Sequence, residues 1–372
     1  MAPTTRAAAN WAATYVAALV ELWALFAEHS GVVGAFRLMA VCRAARVGAK
    51  YWIRTLPRIL VCGGTAGEAE DMTREVWRLD MGKLQWEHMS DLSCVRNDHA
   101  CCVMRGGIVV LGGIVEGQEG SEETASVEIL GHNDQDEDEG RTFKALPPLS
   151  CGPIYRSVAI AIDESESDEG RVLLIGGVYE NGDASAVYEV DLATGVCTAQ
   201  PSLLSPQGSI RHNICTAARL QDGRIICIGE HSDLAATTTQ VLEPTTNGLS
   251  SEGGWQWRAL PSANVVRYTG RGCVLSDGRF AIFGGFDANF DATSSCEALS
   301  LSGDVERWDP LPPMHEDRNG FACAAIGGCV IVVGGAGSVT AEVYEEGLGQ
   351  WRQLPCNLPY DYQLTWMGSA VM

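Results

Sequence analysis

The sequence lacks most of the features that signal chemistry. No stretch reaches the roughly 18 uninterrupted apolar residues of a membrane-spanning helix, so no membrane role is expected. Basic residues are scarce. Against 47 Asp and Glu stand 26 Lys and Arg, for a net charge of −21. Such an acidic chain is a poor match for a broad nucleic-acid surface. There is no C-x-x-C and no paired spacing of zinc ligands. There is no P-loop, no nucleophile elbow and no G-x-G-x-x-G behind a strand. The seven histidines (His29, His88, His99, His132, His212, His231 and His315) form no H-x-H or H-x-x-x-H pair. No catalytic residue, metal site or cofactor is expected. His99 and His212 are expected to be strand-entry residues satisfied by backbone.

What is present starts with size and an uneven distribution of charge. The 372 residues are enough for a large core. Residues 1–57 hold six Lys or Arg against Glu21 and Glu28, leaving +4. The rest holds the other 20 basic residues against 45 acidic ones, leaving −25. The change of sign near Pro57 marks an expected boundary between a segment 1–57 and a body 58–372. Of the 14 cysteines, Cys62, Cys227, Cys273 and Cys329 lie in or beside apolar runs, where free cysteine acts as a small hydrophobe. This points to a reducing compartment, the cytoplasm with the nucleus as the alternative.

One phrase recurs through the body: a turn, four or five apolar residues, then a glycine pair. It reads RILVCGG, GIVVLGG, RVLLIGG, RIICIGE, RFAIFGG and CVIVVGG. The first glycines are Gly63, Gly112, Gly176, Gly229, Gly284 and Gly334, at steps of 49, 64, 53, 55 and 50. A period near 50 signals an array of supersecondary units. After each pair come a β-like stretch (EVWRLD, SVEIL, AVYEVD, QVLEP, CEALS, AEVYEE) and then an aromatic or its stand-in: Trp86, Phe143, Cys197, Trp257, Trp308 or Trp351. A small-residue strand follows, such as HACCVM, SVAIAI or FACAAI. Four short strands per unit, repeated six times, predict an all-β, six-bladed β-propeller. The first unit lacks its small-residue strand, and the chain ends on one, MGSAVM. The C-terminal strand is therefore expected to complete the first blade and remove an open edge.

These residues resemble the kelch repeat over about Arg58 to Met372, with departures at Glu230 (second glycine) and Cys197 (aromatic). The resemblance implies a kelch-type β-propeller that binds a protein partner.

Residues 1–57 read as two or three helices, a small α-helical N-terminal segment. Ala7 to Val20 imitates a secretory signal, but Asn10 and Thr14 interrupt it. Trp11, Tyr15, Leu19, Leu22 and Phe26 fall at helical spacing, and a break is expected at His29-Ser30-Gly31. The stretch Leu22 to Arg46 resembles an F-box. Leu22, Leu25 and Phe26 match its first helix, and Leu38, Val41, Cys42 and Arg43 match its last; the usual opening Leu-Pro is missing. The resemblance implies a substrate receptor of an SCF-type ubiquitin ligase, with Leu22, Leu25, Phe26, Leu38, Val41 and Cys42 against the adaptor subunit. The alternatives are a kelch scaffold without a ubiquitin role, whose helices only cap the ring, and a kelch-type enzyme.

Strand parity sorts the loops onto two faces. The acidic runs Asn133–Gly140 and Asp163–Gly170 fall on one; Ser165 and Ser167 lie in a context suited to phosphorylation. On the other face the links into each new blade carry Arg96, Arg156, Arg211, Arg267 and Arg318, which precede the next glycine pair by 16, 20, 18, 17 and 16 residues. Either they bond neighbouring carbonyls and hold blades together, or they ring the channel mouth and recruit an acidic or phosphorylated peptide, flanked by Tyr155 and Tyr268.

Overall fold

The computed structural model describes residues 5–67, 71–104, 106–117, 120–130, 142–162, 170–179, 184–204, 212–231, 236–244, 254–301, 305–360 and 363–372. Six four-stranded antiparallel sheets form the blades of a propeller. From the innermost strand outwards, the second blade is Ala100–Met104, Gly107–Leu111, Val127–Leu130 and Phe143–Leu146. The first blade draws its innermost strand, Gly368–Val371, from the far end of the chain. That strand pairs with Ile59–Cys62 in the register Ile59↔Val371 to Cys62↔Gly368, which closes the ring as expected.

Each blade presses both faces on its neighbours, so its second strand cannot alternate apolar with polar. Ile59–Cys62, Gly107–Leu111, Phe280–Phe283 and Cys329–Val333 are buried at every position. Six apolar clusters among the described residues fill the six blade–blade interfaces. At the outermost strands the indole Nε1 groups of Trp257, Trp308 and Trp351 donate, each at 2.8 Å, to the carbonyls of Pro201, Pro261 and Pro312 in the preceding linker. In the fourth, fifth and sixth blades one aromatic thus buries area and ties the blade to the one before it.

The glycine pair has a steric cause. Gly112 and Gly113 have φ of 61° and 100°, the left-handed side that a Cβ disfavours. A Cβ on Gly112 would stand 2.2 Å from the Ile154 carbonyl oxygen. The same crowding recurs at Gly63 and Gly284, 2.5 Å from the carbonyls of Arg96 and Arg318. The pair is where one blade meets the linker into the next.

Helix α1 covers Thr5–Leu38 and turns at Gly31 (φ 68°), where the break was expected. Helix α2 covers Arg43–Thr55. They cross tightly at Gly48, where a Cβ would stand 2.6 Å from both Trp23 Cβ and the Val20 carbonyl. Ala27, Val32, Ala35, Ala49 and Ile53 join the cluster between the sixth and first blades. Contacts with Gly327, in the turn between innermost and second strands, place the helices on the face opposite the glycine pairs.

Candidate partner-binding face

The linkers that enter each blade define the face on which the glycine pairs lie. Gly64, Gly113, Gly285 and Gly335 donate their N–H groups to the carbonyls of Arg96, Ile154, Arg318 and Leu364. These four residues, one per linker, are therefore structural equivalents, and Arg267 takes the same role before the fifth blade. Arg96, Arg267 and Arg318 are at most 1% exposed. Each guanidinium donates onward to the first glycine's carbonyl in the blade that its linker enters: Arg96 to Gly112 at 2.8 Å, Arg267 to Gly284 at 3.0 Å, Arg318 to Gly334 at 2.8 Å. Each also meets a buried carboxylate on the third strand, Glu128, Glu297 or Glu342, at 3.0 Å. The carboxylates in turn accept linker N–H groups, as from Asn264 and Val265 to Glu297. Burial works against the Arg267 charge, and Glu297 opposes that effect.

At three of these arginines this meets the first of the two sequence readings, mortar, and not the solvent-facing ring; at a fourth it corrects the grouping. Arg96, Arg267 and Arg318 do not face solvent; they are mortar within the blade that each linker enters. Arg156 is not their equivalent. Ile154 holds that place, buried beside Tyr188 of the third strand, as Leu364 does beside Trp77. Arg211 lies outside the described residues, as do Asn133–Gly140, Asp163–Glu169 and hence Ser165 and Ser167. The partners Glu128, Glu297 and Glu342 were missed, although each interrupts an apolar strand (VEIL, CEAL, AEVY). Each pairs with the residue two before the first glycine. In the fourth blade that register holds Gln240, which binds both backbone groups of Leu204.

Two positions after the buried residue, the linker passes through left-handed backbone: Asp98, Arg156, Thr269, Gly320 and Trp366 have φ between 50° and 62°. A chain of hydrogen bonds links four of them round the channel mouth, from Trp366 N–H to Gly320, from Asp98 N–H to Trp366 and from Arg156 N–H to Asp98. Arg156 thus stands at the rim. Its side chain is 45% exposed, it bonds Asp98 at 3.2 Å, and its guanidinium carbon lies 5.6 Å from the Trp366 ring and 5.9 Å from Tyr155. Burial raises the Asp98 carboxyl's pKa, an effect that Arg156 opposes. Tyr268 is buried, but Phe290 stacks on it at 5.0 Å and is itself 69% exposed with φ 62°. Below the rim a cavity of about 250 Å³ follows the innermost strands, lined by His99, Ser157, Arg271 and Cys323 among others. Burial, then the charges of Arg96 and Arg271, hold His99 down to about 3. Its neutral ring meets Cys62 Sγ at 3.4 Å, so its partner is a thiol where backbone was expected. The side chain of His212 lies outside the description.

The helical segment presents a different surface. Leu22, Leu25, Phe26 and Val41 are about half exposed or more, and the first three share one helix face. Val47 and Tyr51 of α2 are exposed too, and sequence reading missed them. Cys42 is exposed and caps α2, accepting the Ala45 N–H. Leu38 packs against the sixth–first interface. Among the described residues no helix is long and apolar enough to cross a membrane, and no three His, Cys, Asp or Glu side chains are placed to hold a metal.

Six four-stranded blades and strand-completed closure define a six-bladed β-propeller with a small helical segment before it. The chain is 28% identical to the F-box/kelch-repeat protein At1g16250 of Arabidopsis thaliana over 117 residues, 27% of this chain and 30% of that relative. The match therefore spans less than a third of the relative's length. Among solved structures, YjhT shares the fold, with a TM-score of 0.59 at 12% identity over 81% of this chain and 98% of that one. No family model matches the chain.

Proposed function

We propose that the chain is a protein-interaction module and, more narrowly, a substrate receptor of an SCF-type ubiquitin ligase. Helices of a unit 1–57 dock the adaptor subunit, and the propeller 58–372 presents a target from its opposite face. The observation that carries this reading is the exposed apolar set Leu22, Leu25, Phe26 and Val41 on helices fixed to the face away from the glycine pairs. Apolar patches kept in contact with water mark interaction sites. The matched region of an F-box/kelch-repeat relative adds support. A scaffold without a ubiquitin role is the second reading, favoured by the burial of Ala27, Val32, Ala35, Ala49 and Ile53 against the blades. The reading includes no catalytic step, cofactor or nucleic acid, and places the protein in the cytoplasm or nucleus.

On the target face, Arg156 with Tyr155 and Trp366 forms the recognition point for an acidic or phosphorylated peptide. A guanidinium between aromatic rings keeps its fork open to a phosphate. Screened on a phosphopeptide library, Arg156→Ala is expected to weaken captured sequences at least about tenfold, the worth of one charge-assisted contact. Its melting temperature should fall only modestly, because Arg156 is half exposed and lies outside the Arg96, Arg267 and Arg318 networks, although Asp98 loses a partner. An unaltered capture profile would remove Arg156 from the site.

On the helical face, Leu25→Glu with Phe26→Glu is expected to abolish capture of the purified adaptor subunit and leave the melting temperature within about 1 °C, since exposed substitutions cost little. A large drop in melting with capture intact would favour the scaffold reading.

A further inference from the structure

The third blade breaks the aromatic rule, and the break is local and specific. Trp86, Phe143, Trp257, Trp308 and Trp351 pair with Leu79, Leu130, Leu242, Leu299 and Tyr344, and Cys197 pairs with Val190 in the same register. In blades four to six the residue at this place ties the outermost strand to the preceding linker through an indole and a proline carbonyl. In the third blade the same junction is made by other groups. Cys197 N–H donates to Ser150 Oγ at 2.8 Å, and Ser150 N–H donates to the Gly195 carbonyl at 2.9 Å. The residue beside Ser150 is a second cysteine. Cys151 and Cys197 are both half-buried and pack against one apolar cluster, and the Cys197 thiol donates to the Gly195 carbonyl at 3.6 Å, the same carbonyl that Ser150 N–H reaches.

We propose that Cys151 and Cys197 are an oxidation site, a dithiol that a hydroperoxide converts to a disulfide clasp between the exit of the second blade and the outer edge of the third.

The neighbouring Cys151 thiol, aided by backbone and by Ser150, lowers the Cys197 thiol to about 6, while Cys151 is pushed up. Cys197 is thus the nucleophile and Cys151 the resolving thiol. The Cys197 thiolate attacks the peroxide; an S–O bond forms, the O–O bond breaks, and the alkoxide leaves and takes a proton as an alcohol. Cys151 gives its proton to water and its sulfur attacks the sulfenic sulfur; an S–S bond forms, the S–O bond breaks, and hydroxide leaves as water. Two thiols surrender two electrons and the peroxide accepts them. The clasp would be covalent where other blades use a hydrogen bond, and a thiol reductant would open it.

The full chain, reduced and then treated with hydrogen peroxide, tests this. Peptide mapping should show the Cys151 and Cys197 peptides joined before any other pair. The melting temperature should rise by about 5 °C and fall back with dithiothreitol, as loop closure by a native-geometry disulfide implies. Cys151→Ser and Cys197→Ser should each abolish the rise. Cys197→Trp, which restores the aromatic of the repeat, should fold and ignore peroxide. Joining of other cysteines first, such as Cys62 with Cys101, or no 151–197 linkage under peroxide, would overturn the proposal.

Discussion

Removing Gly368–Met372 is expected to convert the protein into an aggregating species, or to lower its melting temperature by more than about 10 °C. The deleted strand pairs residue by residue with Ile59–Cys62, and Arg58 and Met372 exchange both backbone hydrogen bonds beyond it. It also packs between the innermost strands of the second and sixth blades. Without it, Ile59–Cys62 becomes an unpaired apolar edge, the geometry that templates intermolecular pairing. Ala370 would leave the cluster it shares with Leu60, Cys62 and Ile108. Ala370→Asp, which keeps the strand but places a charge in that cluster, should destabilise by several kcal/mol. Light scattering and thermal melts of both variants check this. A truncated protein that stays monomeric and melts like wild type would contradict strand closure.

The second large effect belongs to the buried ion pairs. Arg318→Leu is expected to cost about 3–5 kcal/mol, because it leaves Glu342 buried without its cation. Glu342 is 1% exposed, and its remaining partners are the backbone N–H groups of His315 and Glu316 and the His315 ring. Arg318 also donates to the Gly334 and Thr340 carbonyls; both would lose that bond, and Thr340 would keep only the Gly334 N–H. The double variant Arg318→Leu, Glu342→Leu should cost less than the sum of the single ones, since it removes the stranded charge. Chemical denaturation of the four proteins gives the coupling. Additive losses would mean that the pair does not act as a unit.

The same groups show what sequence reading reaches and where it stops. The five glycine pairs are legible because one steric demand, a backbone crowded by the next linker, recurs from blade to blade, and the fourth blade, with Glu230 at the second place, is the exception. Closure is legible because the two ends are incomplete in complementary ways. The break at Gly31 follows from a residue that leaves the helical region. The arginines are harder. Spacing alone grouped Arg156 with Arg96, Arg267 and Arg318, but the linker before the third blade puts Ile154 at the buried place and Arg156 two residues on, at the rim. Only the hydrogen bond from Gly113 N–H to the Ile154 carbonyl fixes that register. The carboxylates Glu128, Glu297 and Glu342 escaped because a single acidic residue in a strand looks like a solvated one until its cation is found. Cys197 was seen as a departure from the aromatic rule, but Cys151 lies 46 positions earlier in the sequence and no periodicity connects them.

The two faces of the molecule, helices on one side and inter-blade linkers on the other, should work at the same time and independently. The direct measurement is titration of the purified full chain with an SCF adaptor subunit, by calorimetry, with and without a saturating phosphopeptide selected on the wild-type propeller. One adaptor per chain, bound with the same affinity in both titrations and lost with Leu25→Glu and Phe26→Glu, is the result expected of a substrate receptor. No adaptor binding by a folded, peptide-competent chain would contradict it.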